Sequence, residues 1–292
     1  MKDQKKCYYD YSNESFNEMS KVLKMAGVKN NTFMLETSNP DLIGVDPYAT
    51  DLTSDMQNMI RKECKRNIWY FLRYIKLPDY SQAKCNPVLL CVAYCFQHNI
   101  NLYLNSTRYS SKTTAMLLCS VWNNRLPTKF NGNPGLVRFI ISEQKDIRNS
   151  LPEYLKKAFP YKENECCMAD IYDDAEFTIR QNTNDKLVYE KLKNSKKAFD
   201  EFGKDKASLF MMLSTVNRKS DSFSLLTLRH FYHIDWLELF DKNPDDLWFA
   251  YIALDPERLG WTNKYMEDFK KTIDISDECF DSEIMLKRDF AF

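Results

Sequence analysis

The sequence predicts an α/β fold, a mainly parallel sheet flanked by helices with a small lid subdomain, on three observations. Short apolar runs ("INLYLNS", "LVRFIIS", "MADIYDD" and "SLFMMLST") are bounded by loop residues and have the length and character of strands. Helical spacing separates them, over 113–124, about 144–158 and about 185–202. Strands that are nearly continuously apolar and alternate with helices belong to a parallel sheet covered on both faces.

The 292 residues suffice for one large or two modest domains. Formal charge is zero, so nucleic acid has no global basic field to meet, only local patches. The nine cysteines are odd in number and form no paired Cys-x-x-Cys framework. No secretory leader is read in the polar first twenty residues, so free thiols in a reducing cytoplasm are expected. The longest apolar run, "PVLLCVAYCF", is too short to span a bilayer.

In chain order, residues 1–53 are polar, close on the loop-rich "TSNPDLIGVDPYATD", and read as an N-terminal extension that is partly helical around "FNEMSKVLKMAG". Residues 54–76 place Met56, Met59, Ile60, Ile68, Phe71, Leu72 and Ile75 at helical spacing, and Pro78 favours a break. "PVLLCVAYCFQHN" reads as a helix with Pro87 in its first turn. The core is expected over 54–227, and the aromatic and acidic stretch 228–292 is expected as a lid or linker subdomain.

The segment "NSTRYSSKTT" carries the chemistry. A phosphate-binding loop needs a buried strand, a tight turn with N–H groups facing the phosphates, a lysine, and a hydroxyl for magnesium at a helix start. "INLYLNS" supplies the strand, 107–111 the turn, Lys112 the lysine and Thr113 the hydroxyl, with Ser111 and Thr114 beside them. Serine stands at both glycine positions, Ser106 and Ser111, and none of the six glycines lies between Gly44 and Gly132. A residue with a Cβ loses roughly 1 kcal/mol or more at positive φ. A serine-capped helix after a strand, with Lys112 on a solvated face, explains the same residues.

Two further strand ends bear on the choice. "CCMADIYDD" closes on adjacent carboxylates; in a P-loop ATPase the first, here Asp173, orients the magnesium shell and the second, Asp174, polarises the attacking water. "MMLSTVN" closes on Ser214, Thr215 and Asn217, polar groups suited to sensing a γ-phosphate. Ligands collect at the carboxyl ends of strands in a parallel sheet, so the ordered trio predicts a P-loop NTPase of the ASCE type binding ATP and Mg²⁺.

From about residue 54 to 290 the chain resembles the ATPase half of the large terminase, the DNA-packaging motor of tailed phages. "NIWYFLRYIKLPDY" is similar to the aromatic segment ahead of the motor, "NPVLLCVAYCFQHNINLYLNSTRYSSKTT" to the helix, strand and Arg-containing Walker A loop, "DIYDDAEF" to Walker B, "LSTVN" to the coupling motif, and "LGWTNKYMEDFKKTIDISDECFDSEIMLKRDF" to the exit from the domain. The resemblance implies that Lys112 and Thr113 hold phosphate and magnesium, that Arg108 stabilises charge on the γ-phosphate, that Asp173 serves magnesium, that Asp174 orients water, and that Ser214, Thr215 and Asn217 couple hydrolysis to movement. It implies double-stranded DNA, a homo-oligomeric ring, a portal and a small terminase subunit as partners in the infected cell's cytoplasm.

The departures are the missing glycines, Asp174 where the family carries glutamate, a short connection from Pro160 to Asp173, and no nuclease domain. They leave a second reading open: a catalytically degenerate terminase-like protein kept as a structural or interaction module. A helicase-like ATPase is a third. Cys85, Cys91, Cys95 and His98 and the pair His230 and His233 read as packing, with a metal site as the alternative; the lysine-rich 186–206 and "RKECKR" (61–66) read as solvated faces, with contact to a DNA backbone as the alternative; and Arg148 and Arg180 are candidate trans-acting arginines.

Overall fold

The computed structural model describes residues 7–77, 81–123, 129–130, 133–134, 139–142, 179–181, 185–204, 209–214, 229–273 and 275–286. They divide into two compact units. One is built from residues up to 85 with 117–123, and the other from 86–116 with the main sheet and the residues after it.

In the first unit, β1 (Tyr8–Tyr9) precedes α1 (Glu14–Met25) and pairs antiparallel with β2 (Glu36–Thr37). The Asn13 carboxamide caps α1, accepting from Ser15 N and donating to Arg73 O, while Phe16, Met19 and Leu23 bury one face at helical spacing. The helical spacing over 54–76 resolves into two helices, α2 (Ser54–Arg66) and α3 (Ile68–Tyr74). The break falls at Asn67, whose Oδ1 accepts from the N–H groups of Trp69 and Tyr70 and so starts a second helix. Asn67 Nδ2 also donates to Glu36 O and to the Glu63 carboxylate, which fixes the corner.

This unit is centred on buried charge. Arg73 is fully buried; its Nη1 donates to Met34 O (2.6 Å), its Nη2 to Glu36 O (3.2 Å), and its Nε lies 3.8 Å from Asp10 Oδ2. The Tyr74 hydroxyl donates to the same carboxylate at 2.6 Å. Burial pushes the Arg73 guanidinium below its usual range, and Asp10 opposes the shift. Residues 54–85, expected to open the core, thus group with the N-terminal segment.

The second unit opens with α4 (Pro87–Gln97), capped by Asn86 and buried on every side from Pro87 to Phe96. Next in the chain come β3 (Asn101–Ser106) and α5 (Lys112–Asn123), of which 112–116 belong to this unit and 117–123 to the first, then a two-stranded ladder β4–β5 (Lys129–Phe130, Asn133–Pro134), β6 (Phe139–Ser142), β7 (Ile179–Gln181), α6 (Asp185–Phe202), β8 (Phe210–Ser214), β9 (Phe249–Leu254), α7 (Asn263–Thr272) and the short α8 (Asp277–Cys279).

The main sheet has the order β7-β6-β8-β3-β9 with parallel pairing throughout. The expected α/β architecture is present: β3 and β9 are buried at every position, and α6 adds Leu192 to the layer formed by Tyr103, Phe210, Trp248, Phe249 and Tyr251. The run "MADIYDD" lies outside the described residues. β9 falls within the stretch expected as lid or linker, and it lies directly beside β3. Its six consecutive buried residues, "FAYIAL", carry the apolar-run signature of an interior strand; the flanking aromatics and acids obscured it.

One side chain ties three strands. Asn101 Oδ1 accepts from Phe210 N (2.8 Å) and Asn101 Nδ2 donates to Trp248 O (2.8 Å), at the entry to β3, β8 and β9. Asn101→Leu leaves the Phe210 N–H buried without that partner. The expected loss is about 2–3 kcal/mol of unfolding free energy in urea titrations at unchanged m-value; a change under about 0.5 kcal/mol means that the strand ends close without the clamp.

Candidate functional site

The candidate loop runs from Ser106, the last residue of β3, to Lys112, the first of α5. Strand, turn and helix therefore follow one another as the sequence predicts, and β8 ends at Ser214, one step along the ladder from the loop and level with Asn105.

The loop reaches left-handed backbone without glycine. Tyr109 and Ser111 both have φ of 66°. All four glycines among the described residues also have positive φ, so glycine serves the other turns while the loop forces two residues with a Cβ into the same region. Ser111 stands at the second glycine position, the one where positive φ is needed. Ser106, at the first, does not take positive φ.

Hydroxyl groups brace the turn. Ser106 and Ser110 share a hydrogen bond at 2.7 Å between buried Oγ atoms, and Ser110 N donates to Thr107 O at 3.3 Å. Thr107 is fully buried; its N–H donates to Leu254 O (3.0 Å), and its hydroxyl lies within hydrogen-bonding distance of Leu254 O (3.2 Å) and Ile284 O (2.9 Å). The loop is thus pinned to the carboxyl end of β9 and to the segment after α8.

Lys112 folds back over the turn. Its Nζ donates to Ser106 O and Thr107 O, both at 2.7 Å, with Ser110 Oγ at 3.4 Å. Burial pushes the ammonium down to about 7, with Arg108 adding to the shift and Glu283 opposing it. Arg108 is engaged on the outer side: its N–H donates to Glu283 O (2.9 Å) and its Nη1 to Glu283 Oε2 (2.7 Å). Neither residue after α8 that grips the loop, Glu283 or Ile284, had a sequence signal, because both lie over 170 positions from the turn.

Next to this grip sits an aromatic group. Tyr109, 61% exposed, packs edge-on against Phe269 with ring centroids 5.5 Å apart, and Phe269 of α7 also meets Tyr265 of the same helix and Trp261 just before it. Thr113 and Thr114 lie half-buried in the first turn of α5. Asp173, Asp174, Thr215 and Asn217 lie outside the described residues, as does Arg148.

The donor set fits a phosphate group. A primary ammonium, hydroxyls and the first turn of a helix follow the carboxyl end of β3, an interior strand, and these are the group types that bind phosphate. For magnesium the oxygen donors would be Thr113 and Asp173, hard ligands suited to that ion. Among the described residues no group of three His, Cys, Asp or Glu stands together as a metal cluster, and Cys85, Cys91 and Cys95 are buried. Among the same residues no helix is long and apolar enough to cross a membrane. Comparison of the chain with protein-family models, curated proteins and solved structures found no match.

The strained backbone gives one expectation. Ser111→Val, a β-branched residue at φ of 66°, should cost about 1–2 kcal/mol in chemical denaturation, while Ser111→Gly should cost nothing or stabilise slightly. Equal stability of the two variants would mean that the turn relaxes to another conformation.

Lys112 gives a second. Its pKa lies below the unfolded value, so the free protein loses the charge through pH 7 upwards, and an anion that needs the ammonium must restore the proton. Affinity for inorganic triphosphate should therefore weaken by about tenfold or more from pH 7 to pH 9, as titration calorimetry would report. A flat profile would show that Lys112 stays charged throughout.

Proposed function

We propose that this chain is a P-loop NTPase of the ASCE type, an ATP-binding and ATP-hydrolysing motor domain that resembles the one packaging double-stranded DNA into phage capsids. The observation that carries the reading is the interior parallel strand β3 entering a left-handed turn and then α5, with Lys112 turned over the turn. In that reading Ser111, Lys112, Thr113 and Thr114 receive the phosphates, Thr113 and Asp173 serve magnesium, Asp174 orients water, Arg108 meets charge at the γ-phosphate, and Ser214, Thr215 and Asn217 couple the reaction to movement. The partners are double-stranded DNA, like subunits in a ring, a portal and a small terminase subunit, in the cytoplasm of an infected cell.

A second reading, a degenerate relative retained as a structural or interaction module, draws on a specific feature. The polar groups that would meet a nucleotide are satisfied within the loop: Lys112 by two carbonyls, Ser106 by Ser110 and Arg108 by Glu283. A loop so closed upon itself gives up these bonds when a ligand enters, which lowers affinity.

Mg-ATP turnover separates the two. The purified chain should hydrolyse ATP, faster with double-stranded DNA, and Lys112→Ala should reduce turnover by at least about tenfold. Absence of turnover in both proteins, with and without DNA, favours the degenerate module, for which Asp174→Glu should then restore measurable rate.

A further inference from the structure

We propose that Glu283 is a positioning residue that limits how readily the loop accepts an anion: its carboxylate holds Arg108 away from the turn, and a phosphate-bearing ligand binds by drawing Arg108 off it. The inference rests on the phosphate-loop reading of 106–114.

The pair is held from one side. Glu283 lies in the π-helical turn Phe280–Ile284, and that turn is anchored by Phe280, Ile284 and Leu286, all buried. Lys270 of α7 fastens the segment further, with its Nζ 2.7 Å from Asp277 Oδ1 and over the Phe280 ring at 5.1 Å. Thr107 binds it from the loop through Ile284 O. The carboxylate therefore sits on a fixed strap.

Arg108 is the movable partner. Its side chain is 49% exposed against 23% for Glu283. Among the described residues its guanidinium meets, besides the ion pair, the ring of Tyr109 at 5.5 Å, itself exposed. Its backbone N–H stays on Glu283 O whichever way the guanidinium turns. A long half-exposed arginine changes partners at small cost, and phosphate offers it a bidentate acceptor as good as carboxylate.

Charge gives the direction. The strap carries Asp277, Glu278, Asp281 and Glu283, of which Asp277 is paired with Lys270. The Glu283 carboxylate neutralises Arg108, the one arginine of the loop. Nucleotide binding is then an exchange at Arg108, carboxylate for phosphate, and the strap is the competitor.

The test is equilibrium binding of Mg-ATP to the whole chain and to Glu283→Gln, Arg108→Gln, the double variant and Lys112→Ala. Glutamine keeps the shape and a weaker acceptor, so the strap stays seated. Glu283→Gln should tighten binding by about two- to fivefold, the scale of a half-exposed ion pair. Arg108→Gln should weaken it, and in that background Glu283→Gln should change affinity by less than about 1.5-fold, since its effect runs through Arg108. The gain should also shrink at high salt. Unchanged or weaker binding by Glu283→Gln overturns the proposal, as does an equal gain without Arg108, which would assign the effect to the carboxylate's own charge. If Lys112→Ala abolishes binding while Glu283→Gln is flat, the loop reading stands and this inference falls. If Lys112→Ala binds as the parent does, or no variant binds, both fall.

Discussion

The second unit depends on β3 being paired on both sides. Its residues pair with β8 along 102–105 and with β9 along 101–106, and its entry is closed by the two bonds of the Asn101 carboxamide. A strand held this way has no soft edge and no freedom of register, because a one-residue slip would turn every side chain to the wrong face. Everything at the candidate site follows from it. The chain leaves β3 at a fixed height, in line with the ends of β8 and β9, and must turn within five residues before α5 begins.

That turn is made with side chains where glycine is the easier solution. Serine and threonine hydroxyls bond across the turn and to the carbonyls of β9 and the strap, and these bonds hold the conformations of Tyr109 and Ser111. The same bonds consume the groups that would otherwise wait for a ligand. Lys112 is the clearest case: it is buried enough to lose its charge near neutrality, yet it donates two short bonds to the turn it would serve. A braced loop of this kind is rigid in its closed form, and its affinity for an anion is set by what it must give up.

The first unit solves a different problem with the same means. Its charged residues Arg73 and Glu63 are fully buried; Arg73 is met by Asp10, Met34 O and Glu36 O, and Glu63 by Ser38 N and by Arg66 and Asn67 at its own helix end. Burial alone pushes the Glu63 carboxyl up, but bonds from Asn67 Nδ2, Ser38 N and Arg66 hold it below the ordinary range. Buried charge without such partners is costly. The arrangement therefore ties α2 and α3 to the N-terminal segment and divides the chain where the periodicity of 54–76 showed only one helix.

Much of this was legible in the residues. The length and spacing of the apolar runs determined α4, β3, α5, α6 and β8 to within a residue or two, since burial on a helix or inside a sheet leaves a period that needs no partner to be read. The order strand, serine-rich turn, lysine, helix determined the candidate loop in the same way. What the tertiary structure alone decided were the matters that depend on non-local partners. Asn67 ends one helix and begins another because Glu36 and Glu63 are beside it. "FAYIAL" is a strand because β3 offers an edge. Ser111 accepts positive φ because the hydroxyl bonds hold the turn. Arg108 is engaged because Glu283, 175 residues away, is brought to it on an anchored strap. Sequence spacing carries local periodicity and cannot carry contacts of that separation, which arise only when burial and hydrogen bonding bring remote segments together.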